Sequence, residues 1–382
     1  MLERPSMHVA SFGRLIAARG FVLASMLLAG ALAGCGSTSP YSPISPLSNA
    51  SLGRPPAGDA VVRAWGRSLM HVPLPGAGCF KASYPAGAWS RIACSKPLRL
   101  PVPRIGKVDP AIIGAGKDYA LSVSPHLIST AIGSFPDVTG VTRVKTVGVP
   151  SLGGQCICGN DAYTLQLNTD FYDLAPCANN AKCLGWEQLV YSNPAPKGGA
   201  FGLLYIQDWR IKTTSKALKC PAKSTGWLPN GGDCYYSSDG VSIPAISITQ
   251  LGDVNLWLSA ARSGDGAFIS VGKTVYGMKK EQGDFMELSR HWTGAELNVF
   301  GDCCDSRAVF NPGSTLTVRL EADDGSADAP ICQGNNGTTG ETNNLSFVAP
   351  PSNPTQEKYP SILFTESNAG GGPASCAAVA GL

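Results

Sequence analysis

From about residue 130 onward the chain is a succession of short runs rich in β-branched and aromatic residues, each closed off by Gly, Pro, Asn or Asp. VTGVTRVKTVGV, YTLQLN, EQLVY, FGLLYIQDW, VSIPAISI, VNLWLSA, KTVYGM, AELNVF, TLTVRL, LSFVA and SILFT follow one another with no repeat period and no long helix candidate. With 45 Gly and 29 Pro to supply turns and only 15% charged residues, 382 residues suit strands better than helices. The expectation is an all-β fold: a two-sheet antiparallel β-sandwich over residues 131–382, its facing layers burying a large core. Residues 61–130 carry Pro-rich turns such as VPLPGAGC and PLRLPVPRI with little helical periodicity. They are expected to form a disulfide-stapled N-terminal extension.

The N-terminus bears on compartment. Arg14 and Arg19 precede an apolar run, Phe21 to Ala33, that is too short to span a bilayer and reads as the core of a secretory signal. It ends in Leu32-Ala33-Gly34-Cys35, which resembles a bacterial lipobox. On that reading residues 1–34 are a signal peptide and Cys35 is acylated and holds the protein to a membrane. The Ser/Pro-rich residues 35–60 form a tether. Gly36, rather than Asp, after the cysteine resembles the sorting context of the outer membrane, so the location expected is the cell envelope. Ordinary signal cleavage nearby, giving a secreted protein, is the alternative.

The 13 cysteines agree with an oxidising compartment, since setting Cys35 aside leaves an even number. Cys79 with Cys94, Cys177 with Cys183, Cys220 with Cys234 and Cys332 with Cys376 are the expected local pairs. Cys156, Cys158, Cys303 and Cys304 could supply four thiolates to a metal, but their spacing lacks the pattern of structural zinc. Two cross-links between those segments are preferred, with no metal. Basic and acidic residues nearly balance, 30 against 27, which leaves no phosphate-neutralising surface and argues against nucleic acid as a partner.

Alternation along two strands singles out polar side chains. In AELNVF, Leu297 and Val299 share one face while Glu296, Asn298 and Phe300 share the other. In YTLQLN, Tyr163, Leu165 and Leu167 are the apolar face, opposite Thr164, Gln166 and Asn168. Outward polar residues are also what any half-solvated strand shows. Other catalytic constellations are missing: His71, His126 and His291 have no metalloprotease spacing, and no nucleophile elbow or phosphate-cradling loop is present. The Asp-rich EADDGSADAP lacks regular calcium-ligand spacing and reads as a solvated loop.

Five short blocks, in order, resemble the eqolisins, the glutamic peptidases. SFPDVTGVTRV, Ser134 to Val144, is similar to their opening strand segment, and LQLNTDF, Leu165 to Phe171, to the segment carrying the catalytic Gln, with Gln166, Asp170 and Phe171 in matching register. WEQLVY, Trp186 to Tyr191, resembles an aromatic and acidic strand lining their cleft. ITQLGDVNLWLSA, Ile248 to Ala260, resembles a strand introduced by a Gly-Asp turn. AELNVF followed by AVFNPGSTLTV resembles the segment of the catalytic Glu and the strand after it. The sequence departs from the pattern in an insert around Cys220 to Cys234 and in Leu297, where the family commonly has tryptophan.

The resemblance implies a lectin-like sandwich with a concave face, Gln166 and Glu296 as catalytic residues, and Asp170, Trp186, Glu187 and Trp292 along the substrate. The implied substrate is a polypeptide, cut by a water that Glu296 and Gln166 activate without metal or cofactor. The competing function is a non-catalytic envelope lipoprotein that holds glycan or peptide, with Trp186, Trp209, Trp257 and Trp292 as stacking residues. A purely structural lipoprotein is a third reading.

Overall fold

The computed structural model describes residues 57–97, 118–147, 159–177, 181–193, 200–281, 283–302, 306–334, 337–370 and 375–382. The signal peptide, Cys35, most of the tether, and Cys156, Cys158, Cys303 and Cys304 lie outside the described residues. Among the described residues no helix is long and apolar enough to cross a membrane.

Two ten-stranded sheets make a sandwich, as the strand-rich sequence predicts. The first runs Ser90–Ile92, Gly78–Ser83, Thr274–Lys279, Gly266–Val271, Val254–Ser259, Thr130–Thr139, Thr315–Asp323, Ser361–Ser367 and Ser346–Val348, with Cys376–Val379 added beside Ser361–Ser367. The second runs Leu228–Asn230, Asp233–Ser237, Phe201–Lys212, Ala181–Asn193, Tyr163–Thr169, Gly294–Phe300, Tyr119–Ser122 and Ile331–Gly334, with two short strands paired to its middle members. All pairings within the two sheets are antiparallel. A small four-stranded sheet centres on Arg307–Phe310.

One contiguous core lies between the sheets. Leu165, Leu167, Leu189, Leu297 and Val299 of the second sheet join Leu256, Leu258, Ile269, Leu316 and Phe364 of the first. The packing is tight: a Cβ on Gly133 would lie 2.4 Å from a Leu297 methyl, so the leucine fills the space that the glycine leaves.

The N-terminal segment departs from expectation. Ala57–Leu69 is an α-helix, where the sequence suggests tether and turns. Trp65 and Leu69, one turn apart, pack with Ile132, Trp257, Phe268 and Val275 on the face of the first sheet turned away from the main core. Apolar anchors spaced four residues apart suffice for a short packed helix, and tertiary burial supplies what its sequence does not advertise. Gly78–Ser83 and Ser90–Ile92 extend the edge of the first sheet, and Tyr119–Ser122 lies within the second. Segment 61–130 is thus woven into both sheets.

Cys79–Cys94, Cys220–Cys234 and Cys332–Cys376 are disulfides, as the spacing suggests. The last ties an edge strand of the second sheet to the added strand of the first. Cys183 is also disulfide-bonded, and the side chain of its expected partner Cys177 lies outside the described set.

Candidate functional site

Gln166 and Glu296 lie on paired neighbouring strands. Asn298 is opposite Gln166, and Glu296 is opposite Asn168. Opposed residues share a face, so Gln166 and Glu296 are diagonal neighbours on one face, about 7–8 Å apart at the backbone and within reach of a common small molecule. The next strand adds Gln188 opposite Asn168 and Val190 opposite Gln166.

This face is not the solvated surface that alternation alone suggests. Thr164, Gln166, Asn168, Gln188, Glu296 and Asn298 are all fully buried. Buried amides and carboxyls are costly unless bonded, and here they are strung together. Thr164 Oγ1 donates to the Gly301 carbonyl at 2.8 Å and accepts from Gln166 Nε2 at 3.0 Å. Gln188 Nε2 donates to Gln166 Oε1 at 3.0 Å and to Asn168 Oδ1 at 3.2 Å. Asn168 Nδ2 donates to Glu296 Oε2 at 3.0 Å. Side chains alone therefore connect Gln166 to Glu296.

Glu296 is served unevenly. Its Oε2 also accepts from the Thr338 backbone N–H at 2.7 Å and the Thr338 hydroxyl at 2.5 Å, while Oε1 has no hydrogen-bond partner among the described residues. Gly337 presses on Oε1: a Cβ there would lie 2.8 Å from Glu296 Oε1 and 3.1 Å from Asp118 Oδ2. Burial, and then the nearby Asp118 charge, push the Glu296 carboxyl up to about 8, against the pull of the Thr338 and Asn168 bonds. Glu366, reached from the first sheet through Asn298 and Asn343, is raised to about 8 by burial and then Asp118. Asn298 Nδ2 also donates to Asp118. Glu296 thus keeps its proton at neutral pH while covered.

The other sequence-predicted site residues are placed differently. Glu187 faces the opposite side of its strand, where Lys280 Nζ meets its Oε2 at 2.6 Å, Asp208 Oδ1 at 2.9 Å and Asp265 Oδ2 at 2.7 Å. It is a buried ionic joint between the sheets and not a cleft residue. Asp170 accepts from the Thr293 hydroxyl at 2.6 Å and the Thr293 N–H at 3.3 Å, which latches the ends of the two site strands. Burial raises its carboxyl to about 6 despite those bonds. Trp186 donates to the Thr169 carbonyl and stacks on Phe171; Trp292 donates to the Gly294 carbonyl in the main core. Trp186, Trp209, Trp257 and Trp292 are all buried to within 2%. None of the four offers a ring face to a ligand, which corrects their reading as stacking residues. Large flat side chains fill thick sandwich layers efficiently, and that use has claimed them.

Sequence reasoning passed over Gln188, Asp118 and Thr338. Gln188 sits beside Glu187 in WEQLVY, and only the strand register reveals that it, and not its neighbour, shares the face of Gln166. Asp118 and Thr338 come from irregular segments with no periodic signal.

A separate cavity of about 450 Å³ is lined by Cys79, Cys94, Tyr235, Tyr236, Asp239 and Lys280, among others, and includes neither Gln166 nor Glu296. Among the described residues no group of three or more His, Cys, Asp or Glu is arranged to hold a metal ion. No protein-family model matches the chain, and no curated protein matches it.

Proposed function

We propose that the protein is a glutamic-type peptide hydrolase of the bacterial cell envelope, anchored through Cys35, with Glu296 as acid–base and Gln166 as the polarising amide. The observation that carries this reading is the placement of the two residues on one face of paired strands, diagonal to each other and joined by Asn168 and Gln188. Gln166 has one N–H and one oxygen lone pair left after its bonds to Thr164 and Gln188.

Glu296 would take a proton from a water as its oxygen bonds to the scissile carbonyl carbon, while the remaining Gln166 N–H donates to the developing oxyanion. Glu296 then returns that proton to the departing nitrogen as the C–N bond breaks. The second water proton leaves with the new carboxyl group.

The covered arrangement is a resting form in this scheme. With Gly337 and Thr338 over Glu296, its carboxyl is protonated at neutral pH and cannot act as a base. Lifting that turn admits water, removes the dominant cause of the shift, and ionises the carboxyl. Cleavage of an unfolded polypeptide by the parent, at acidic and neutral pH, with a loss of about a thousandfold or more in Glu296→Gln and about a hundredfold in Gln166→Ala, is the expected result. Equal cleavage by parent and Glu296→Gln would remove the mechanism. An inert parent would favour the competing reading, a non-catalytic module, for which the separate cavity beside Tyr235 and Tyr236 is one site on offer.

A further inference from the structure

We propose that Gln188 is the positioning residue that sets the orientation of both Gln166 and Asn168, and so decides that Glu296 is met by an N–H donor. The inference rests on the hydrolase reading for its consequence, but on geometry for its content.

A primary amide has two ends of nearly equal size, so only its bonding partners fix which way it points. Along this face the direction is anchored at both extremities. The Gly301 carbonyl can only accept, so Thr164 spends its hydrogen there and can only accept from Gln166. At the other extremity, Glu296 Oε2 already gathers donors from Thr338. Both ends therefore call for donors arriving from the middle, and the direction of donation must reverse at one residue. That residue is Gln188, whose single NH2 group gives one hydrogen to Gln166 Oε1 and the other to Asn168 Oδ1. With their oxygens held there, the nitrogens of Gln166 and Asn168 point outward, to Thr164 and to Glu296. Gln188 Oε1 is itself buried and has no hydrogen-bond partner among the described residues, so none of them competes for the reversed orientation except the two oxygens that its nitrogen serves.

The titratable groups around Glu296 are Asp118, just ahead of strand Tyr119–Ser122, and Glu366 from the first sheet, linked through Asn298. Neither touches Gln188, whose influence passes through Asn168. Gln188→Met keeps the length and removes both polar ends. Gln188→Glu keeps the shape and turns a double donor into a double acceptor, which draws both nitrogens inward.

The test is a carboxyl-carbon NMR titration of Glu296 in the folded full chain, without substrate. Loss of the Asn168 donor should raise the Glu296 midpoint by about one pH unit in Gln188→Met, and by more in Gln188→Glu. In the same variants, the acidic limb of any cleavage profile should move upward with it. An unchanged midpoint in Gln188→Met overturns the proposal, and so does a rise confined to Gln188→Glu, which is the added charge alone. Should neither variant fold, neutron diffraction of the deuterated parent decides: two Gln188 deuterons on the Gln166 and Asn168 oxygens support the proposal, and the reverse orientation ends it. A parent that cleaves nothing sinks the hydrolase reading and leaves the titration to judge this one.

Discussion

The molecule buries two groups of carboxylates and treats them in opposite ways. Glu187, Asp208 and Asp265 surround Lys280, whose ammonium lies within 2.9 Å of all three and is itself fully buried. Burial alone would discharge that lysine, but the three carboxylates outweigh it and push its ammonium well above the ordinary lysine range. Glu296, Glu366 and Asp118 are served by amides and hydroxyls. The first group is organised around a cation, which pulls against the rise that burial and mutual repulsion impose on the Glu187 and Asp265 carboxyls. In the second, burial and then the Asp118 charge raise Glu296 and Glu366, so that these two hold protons that can leave. A buried acid that can exchange its proton near neutral pH is a chemical resource, whereas a buried ion pair mostly fixes geometry.

The contrast breaks most visibly at Lys280. Lys280→Met leaves three buried carboxylates with no cation and should cost about 3–5 kcal/mol at neutral pH, measured by urea unfolding. The cost should shrink as pH falls, because protonation then neutralises what the lysine did. A loss under 1 kcal/mol at pH 7 would mean that this group, too, carries its own protons.

Glu296→Gln should act in the other direction. In the unfolded chain Glu296 ionises near 4.5, in the covered site only near 8. Between these values the folded state binds a proton that the unfolded state does not, so the parent loses about 1.4 kcal/mol of stability per pH unit from this residue as pH rises. Below 4.5 both states are protonated and the term vanishes. The variant lacks the term, so its stability relative to the parent should climb from pH 5 to pH 8 and then level off. Glu366 contributes a similar slope to both proteins and cancels in the difference. Parallel curves would show that Glu296 is ionised in the covered state.

Much of this was legible in the sequence, and the reason is periodicity. Period-two alternation in YTLQLN and AELNVF put Leu165, Leu167, Leu297 and Val299 inward and Gln166, Asn168 and Glu296 on the other face, because strand geometry leaves no other choice. Local cysteine spacing likewise foreshadowed Cys79–Cys94 and Cys220–Cys234. What alternation cannot give is the partner strand. Glu187 looked like the acidic member of the face, yet register assigns that face to Gln188, one residue on, and sends Glu187 to Lys280. Coverage was equally hidden: Thr338 lies 42 positions beyond Glu296 in a polar loop, and no pattern connects them. Helix Ala57–Leu69 was missed because its stability comes from the sheet beneath it.

Asp118 offers a sharper probe of the proton-holding group. Its charge raises Glu296 and Glu366 together, after burial has done the larger part. Asp118→Asn keeps the shape and an acceptor oxygen, so both midpoints should fall by about one pH unit in a carboxyl NMR titration. The same change should leave the pH dependence of the Lys280 group alone. If only one of the two glutamates moves, the pair is not one electrostatic unit, and the symmetry drawn between the two buried groups fails on this side.

The smallest expected effect separates a bond to a carboxyl from a bond that merely fills space. Thr338→Val removes the hydroxyl that donates to Glu296 Oε2 but keeps the branched shape and the backbone N–H that donates to the same oxygen. Losing one of three donors should cost about 1 kcal/mol. Its pH dependence carries the information. The hydroxyl bond favours the ionised form and so lowers the Glu296 midpoint; without it the carboxyl holds its proton to higher pH. The variant should therefore lose more stability, relative to the parent, above pH 8 than at pH 5. A penalty as large at pH 5 as at pH 9 would mean that Thr338 holds the turn in place without sensing the proton beneath it, and the turn would then be packing, not a cover whose removal changes the chemistry of Glu296.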